Sequence, residues 1–160
     1  MRGLPALLAA VLLAASAGTV EAMDILLLRH AEKQSGAGSD PGLDAAGRQR
    51  ADAIAGRFRP DVVYATGYRR AIETAQPAAE AAGVVVRVYD PAHPQTLVQT
   101  ILGLPADSRV LVVGHSNTVP DIVQRLSGAA AEAMPESEYD RWTLVHIDNE
   151  GRARVEVHRY

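Results

Sequence analysis

The sequence places an arginine and a histidine side by side at the end of a strongly apolar run. In "DILLLRHAEK", Ile25 to Leu28 lead directly into Arg29 and His30. The guanidinium fork of arginine binds phosphate oxygens in pairs and stays charged at any physiological pH. A neutral imidazole is a competent nucleophile. Residues of these two types can bind and accept a phosphoryl group if the fold brings further polar groups to them.

Two other β-rich runs end in polar residues of the same kinds. "DVVYAT" is followed by Arg69 and Arg70, and "RVLVVG" by His115, Ser116 and Asn117. Guanidiniums and a second imidazole can stabilise the charge that phosphoryl transfer places on the equatorial oxygens. Two nearby arginines also disfavour protonation of a histidine, which favours its free base near neutral pH. A zinc site is less consistent with this set, because zinc normally takes three protein ligands and arginines repel a cation.

These side chains meet only if the runs are neighbouring parallel strands. Continuous apolar runs of four residues are typical of strands buried on both faces. Helical patterns alternate with them, and two alternating strands close the chain around residues 149–151. We therefore predict a three-layer α/β/α fold with a mostly parallel sheet and a C-terminal antiparallel hairpin at its edge. Ligands bind at the carboxyl ends of such strands. The predicted strands are 25–28, 61–66, 84–90 and 110–113, and the predicted helices begin near 43 or 44, 68, 94 and 119.

The first residues have the layout of a secretory signal peptide. Arg2 precedes an apolar run from about Leu4 to Ala17, and small residues follow up to Ala22. Cleavage after Ala22 or after Ala17 would fit, and an uncleaved anchor helix is the alternative. The run is shorter than the roughly 20 residues that span a bilayer. We predict residues 1–22 as a signal peptide, residues 23–160 as one domain, and a periplasmic or secreted protein.

Bulk composition limits the classes of partner. With 160 residues the chain is long enough for one domain with a real core. Its net charge of −3 gives no electrostatic case for nucleic acid or an anionic membrane, so anion binding must come from a local cluster. Cysteine is absent, which excludes disulfides, thiolate metal sites and a thiol nucleophile. We predict no nucleic-acid partner and no stable membrane association after cleavage, and the oligomeric state stays open.

Four segments in order resemble the motifs of the histidine phosphatase superfamily, also called phosphoglycerate mutase-like. "LLLRHAEK" resembles its Arg-His-Gly signature, "LDAAGRQRADAIA" its Leu-Thr-x-x-Gly-x-x-Gln-Ala helix, "YATGYRRAIETA" its Ser-x-x-x-Arg-x-x-x-Thr-Ala segment, and "VVGHSNTV" its second histidine motif. The resemblance covers residues 24–160. It implies that His30 becomes phosphorylated, that Arg29 and Arg70 bind phosphate, and that His115 contacts the transferring group. It implies no metal and no cofactor.

The chain departs from the family pattern at the general acid. Family phosphatases protonate the leaving oxygen with a Glu or Asp, and no segment here matches the usual glutamate motif. Asp90, just after the third strand, is our predicted acid, ahead of Glu32 and Asp121. Ala31 and Thr66 replace the signature glycine and serine without removing a catalytic group. Asn117 either binds substrate or caps the following helix.

The resemblance implies an exported, metal-independent phosphatase that hydrolyses phosphate monoesters through a phosphohistidine. Alternatives are a phosphohistidine-protein phosphatase, a phosphoglycerate mutase-type activity, and a non-catalytic phosphate-binding module. Short insertions leave little material for a lid, so we expect an open pocket with broad specificity for small phosphorylated substrates. The sequence does not identify the physiological substrate.

Overall fold

The computed structural model describes residues 22–160. The signal peptide predicted for residues 1–22 lies outside this range except for Ala22, which begins the first strand, so that segment stays a prediction. Among residues 22–160, no helix is long and apolar enough to cross a membrane. The elements in chain order are β1 (Ala22–Arg29), α1 (Ala45–Arg57), β2 (Val62–Thr66), α2 (Arg69–Ala82), β3 (Val86–Tyr89), α3 (Pro94–Leu102), β4 (Arg109–Gly114), α4 (Val119–Ser127), β5 (Arg141–Asp148) and β6 (Ala153–Arg159).

The sheet has six strands in the order β3-β2-β4-β1-β5-β6. β1 pairs with β4, β4 with β2, and β2 with β3, all in parallel. β5 runs antiparallel to β1, and β6 antiparallel to β5. The prediction of a mostly parallel sheet with an antiparallel hairpin at its edge is therefore confirmed. The three strands that precede the predicted phosphate-binding residues are β1, β4 and β2, and they lie next to one another.

β1 contributes to the core on both faces of the sheet. Ile25 and Leu27 pack with side chains of α3 and α4, whereas Leu26 and Leu28 pack with side chains of α1 and α2. All four side chains are at most 1% exposed. A strand covered on both sides has to be apolar at every position, which explains its continuous run of aliphatic residues. Its end is thereby held rigidly in the middle of the domain.

The helix boundaries follow the signals in the sequence. The Asp44 side chain accepts a hydrogen bond from the Gly47 backbone N–H and caps α1. Gly83 ends α2 in the left-handed conformation, with φ of 72°, which favours glycine. Pro77 lies inside α2 rather than ending it.

The start of α1 packs closely against the segment that follows β1. A Cβ atom added to Gly47 would lie 2.1 Å from the backbone oxygen of Glu32. No side chain fits at that distance, so Gly47 allows α1 to approach the residues just beyond His30. The glycine of the "LDAAGRQRA" motif thus has a packing role close to the predicted site.

Candidate active site

A cavity of about 440 Å³ lies beyond the carboxyl ends of β1, β2 and β4. It opens at the carboxyl ends of the strands, where ligands bind in parallel α/β folds. The chain segments that follow these three strands supply most of its walls. It is lined by Arg29, His30, Lys33, Tyr68, Arg70, Pro91, His115, Ser116, Asn117, Thr118 and Glu136.

His30 is buried, with 3% of its surface exposed, and its ring is held in one tautomer. Its Nδ1 lies 2.8 Å from the backbone oxygen of Ala31. A carbonyl oxygen only accepts hydrogen bonds, so Nδ1 carries the proton and Nε2 keeps its lone pair. The His30 ring lies 5.3 Å from the ring of His115, centroid to centroid. The free nitrogen of His30 is therefore chemically able to act as a nucleophile, in a site that contains a second imidazole.

Both cavity histidines stay neutral well below neutral pH. The pKa of His30 is lowered to about 4, mostly by burial and also by the charges of Arg29 and Arg70, against a hydrogen bond to Ala31 that raises it. The pKa of His115 is likewise lowered to about 4, mostly by burial and also by the charges of Arg70 and Arg29. The sequence argument attributed the free base to the arginines, whereas burial is the larger cause.

The low pKa values predict how the two histidines titrate. We expect the ring resonances of His30 and His115 to keep neutral-form chemical shifts as the pH falls from 7, and to change only near pH 4. A proton–carbon NMR titration measures this, with assignments from the spectra of His30→Ala and His115→Ala. Titration of either ring near its ordinary value of 6.5 would contradict the burial argument.

Arg70 points into the cavity and Arg69 does not. The Arg70 side chain is 14% exposed, its guanidinium carbon lies 4.6 Å from the Tyr68 ring centroid, and its nearest carboxylate, Asp40, is 3.8 Å away. Its buried Nε has no hydrogen-bond partner within residues 22–160. Arg69 is 62% exposed and pairs with Glu73 at 2.6 Å. Arg70 is thus the arginine of α2 that can donate to a bound anion.

Arg29 is 3% exposed and is held by the loop between α4 and β5. Its Nη1 donates to the backbone oxygens of Glu136 at 2.5 Å and Glu138 at 3.1 Å. Its Nη2 lies 2.9 Å from the Glu136 carboxylate, and its guanidinium stacks 4.1 Å above the Tyr139 ring. The buried Nε has no partner among the described residues. These contacts fix the position of the Arg29 guanidinium next to His30 in the cavity wall.

Thr74 connects the loop that carries His30 to the helix that carries Arg70. Its hydroxyl accepts from the Ala31 backbone N–H at 2.9 Å and donates to the Arg70 carbonyl at 2.7 Å. Thr74 is fully buried. One hydroxyl thereby fixes the position of the predicted nucleophile relative to the predicted phosphate-binding arginine.

Replacing Thr74 with valine should lower the free energy of unfolding by about 1–3 kcal/mol, because the buried Ala31 N–H loses its acceptor. Thr100→Val is a matched control, since the exposed Thr100 hydroxyl also donates to a carbonyl four residues earlier but has no tertiary partner within residues 22–160. We expect the control to change stability by less than about 0.5 kcal/mol. Urea denaturation of both variants measures the difference, and equal losses would show that the Ala31 contact contributes nothing.

The sequence segment that carries three of the predicted cavity residues matches a known family. A family model described as histidine phosphatase superfamily (branch 1) matches residues 25–91, which include Arg29, His30 and Arg70. The matched segment ends before β4, so it does not include His115, the residue that follows β4. This part of the chain matches the histidine phosphatase superfamily. The match supports the enzyme class that the sequence predicts, a phosphatase-type hydrolase.

Solved structures of hydrolases and phosphatases have a similar fold. A mycobacterial hydrolase superposes with a TM-score of 0.68 at 20% identity, covering 87% of this chain and 99% of the other. A mycobacterial glucosyl-3-phosphoglycerate phosphatase superposes with a TM-score of 0.67 at 20% identity, covering 86% and 99%. The protein histidine phosphatase SixA, complexed with tungstate, gives 0.65 at 19%, covering 86% and 97%. No curated protein matches the chain in sequence.

Within this histidine phosphatase fold, the remaining predicted residues fall into two groups. Asn117 lines the cavity, and it is not the helix cap, because Thr118 occupies the N-cap position of α4. Asp90 is 61% exposed, bonds to His93, and is not among the cavity-lining residues, although its neighbour Pro91 is. The position of Asp90 therefore gives no support to its predicted role as the acid, and that role stays a prediction.

The sequence reasoning did not single out Glu136, the acidic residue that lines the cavity. Its carboxylate accepts a hydrogen bond from Ser116 and pairs with Arg29. Glu136 lies in an irregular loop of small and acidic residues, 129–140, and no spacing or periodicity distinguishes it there. Only the contact with Arg29, 107 residues away along the chain, identifies it.

Proposed function

We propose that this histidine phosphatase hydrolyses phosphate monoesters without a metal, through a phosphohistidine on His30. The observation that carries the proposal is a buried, neutral His30 that lines a cavity together with Arg29 and Arg70 and whose Nε2 keeps its lone pair. Both arginines line this cavity, so their guanidiniums can donate hydrogen bonds to oxygens of a phosphoryl group. Two fixed guanidiniums supply positive charge of the kind that a metal ion supplies in other phosphatases.

The reaction would proceed in two steps. Nε2 of His30 attacks phosphorus as the bond to the leaving oxygen breaks, and water then attacks the phosphohistidine and returns the nitrogen to its free base. Arg29 and Arg70 hold the phosphoryl oxygens, and neutral His115 donates a hydrogen bond to them in the transition state. The Nε2 of His115 is 2.8 Å from the Thr66 hydroxyl, which fixes the orientation of its ring.

The substrate class is best addressed by a screen, because the similar structures include phosphatases named for a sugar phosphate derivative and for a protein phosphohistidine. The purified chain should be tested against aryl phosphates, sugar phosphates, nucleotides and a phosphohistidine protein, with and without a chelator. We expect turnover of several small monoesters that is unchanged by chelation. Absence of any turnover would contradict the phosphatase proposal, and loss that a divalent ion restores would contradict metal independence.

We further propose that the protein is exported and acts in the periplasm or outside the cell. The support is the charged start, the apolar run and the small residues before Met23. Mass spectrometry of the protein from its host should then find a chain that begins near Gly18 or Met23. An intact Met1 on a cytoplasmic protein would contradict export.

A further inference from the structure

We propose that Glu136 is the proton-transfer residue of this site, protonating the leaving oxygen in the first step and taking a proton from water in the second. The proposal rests on the proposed function and adds to it the residue on which hydrolysis of poor leaving groups depends. It is carried by the contacts of Glu136 at the cavity, by its position relative to His30, and by the positions of the other acidic candidates.

The contacts of Glu136 place its carboxylate beside the predicted phosphate-binding groups. Oε2 lies 2.9 Å from Nη2 of Arg29, and Oε1 accepts a hydrogen bond from the buried Ser116, the residue after His115. The backbone oxygen of Glu136 accepts from Arg29 as well. The residue is therefore anchored through both its backbone and its side chain to the arginine next to the nucleophile.

The position of Glu136 suits the geometry of in-line displacement. In such a reaction the leaving oxygen departs on the side of phosphorus opposite the attacking nitrogen. His30 is buried at 3% exposure, so the leaving oxygen must point away from it, toward the cavity mouth. The Glu136 side chain lines the same cavity and is 80% exposed. An acid at the mouth can reach the leaving oxygen of substrates that extend into solvent.

The acidic residues considered from the sequence are all engaged elsewhere. Asp90 pairs with His93, and Asp121 pairs with Arg125 one helical turn away. Glu32 accepts from Arg50, whose Nε is 2.9 Å from the Glu32 carboxylate. None of the three lines the cavity. Among the cavity-lining residues of the described chain, Glu136 is the one with a carboxyl group.

The proton balance closes over the two steps. In the first step the nitrogen–phosphorus bond forms, the phosphorus–oxygen bond breaks, and the Glu136 proton moves to the leaving oxygen, which releases an alcohol. In the second step the Glu136 carboxylate takes a proton from water, the new oxygen–phosphorus bond forms, and the electron pair returns to His30 nitrogen. Glu136 is again a carboxylic acid, and phosphate leaves.

Substrate binding itself provides the reason for Glu136 to be protonated when it is needed. In the free protein, the Ser116 hydrogen bond and the Arg29 charge lower the pKa of Glu136. A bound phosphoryl dianion brings negative charge to the same arginine and next to the same carboxylate. Like charge raises the proton affinity of a carboxylate, so binding of the substrate favours uptake of the proton that the first step consumes.

The test compares leaving groups of different basicity in Glu136→Gln, whose amide keeps the size of the side chain and an oxygen acceptor but has no acidic proton to transfer. We expect kcat/KM for an alkyl phosphate to fall about 10²–10⁴-fold, and kcat/KM for 2,4-dinitrophenyl phosphate to change by less than about threefold, because that leaving group needs no protonation. Glu132→Gln makes the same change in the same loop outside the cavity, and we expect neither substrate to be affected.

The outcomes separate this inference from the proposed function. Equal losses for both substrates in Glu136→Gln would mean that Glu136 only positions Arg29, and unchanged alkyl phosphate hydrolysis would mean that it has no role; either overturns the inference while the phosphatase stands. A leaving-group-dependent loss in Asp90→Asn instead would assign the acid to Asp90 and also overturn it. An unmodified protein that hydrolyses neither substrate would refute the proposed function itself.

Discussion

Replacing His30 with alanine should abolish the phosphoryl-enzyme and lower turnover on the order of 10⁴-fold or more, because the nucleophile is lost. The buried end of β1 holds the His30 ring in place, and its Nδ1 bond to Ala31 leaves Nε2 free to attack. Rapid quench with a labelled phosphate ester should trap an acid-labile, base-stable phosphoryl group on the unmodified protein. Peptide mapping should place the label on His30.

His115→Ala is the companion variant for this experiment. His115 lies in the same cavity and is also neutral, but in the proposed reaction it stabilises the transferring group without bonding to phosphorus. We expect this variant to form the phosphoryl-enzyme more slowly and on the same residue. Full turnover in the His30 variant would instead mean that a bound water is the nucleophile.

Replacing Arg70 with alanine should weaken the binding of phosphate or vanadate by about 1.5–3 kcal/mol, which is about 10- to 150-fold, because a charge-assisted hydrogen bond is lost. The Arg70 guanidinium is mostly buried and lines the cavity, with its Nε unpartnered among the described residues. Inhibition of turnover by vanadate, or calorimetry with the anion, measures the change.

Arg69→Ala provides the matched control, since it removes the same charge from the neighbouring residue of the same helix. Arg69 is mostly exposed and pairs with Glu73 outside the cavity. We expect its loss to change anion affinity less than about threefold, as screened surface charges do. A larger effect from Arg69 than from Arg70 would mean that the anion binds in a different place from the one the cavity indicates.

The fold was predictable where local pattern and burial agree. The apolar runs that became β1 and β4 are buried on both faces, and their aliphatic residues leave little choice of structure. Parallel pairing of β1, β4 and β2 then places the carboxyl ends of these three strands side by side. The position of a residue just after a strand is set by the position of that strand. The placement of His30, His115 and Arg70 in one cavity was therefore predictable as well.

Which acidic residue lies at the cavity was not predictable in the same way. Asp90 follows β3 and looked equivalent to the residues that follow the other strands. However, β3 is an outermost strand of the sheet, separated from β4 by β2. Its carboxylate bonds to the local backbone and to His93 instead of reaching the cavity. Glu136 reaches the cavity because its loop folds back over Arg29, and long-range contacts of irregular loops leave no periodic signal in a sequence.

The Thr74 hydroxyl hydrogen-bonds to the Ala31 backbone N–H and to the Arg70 carbonyl. The turn of α2 between Arg70 and Thr74 therefore sets a fixed distance between Arg70 and the loop that carries His30. Successive helical residues are rotated by about 100°, so residues four apart lie on one side of the helix. An insertion or deletion between Arg70 and Thr74 would turn one of them away while the other kept its place. Homologous enzymes built on this arrangement can therefore exchange many side chains in α2, but gaps in its first turn should be incompatible with activity.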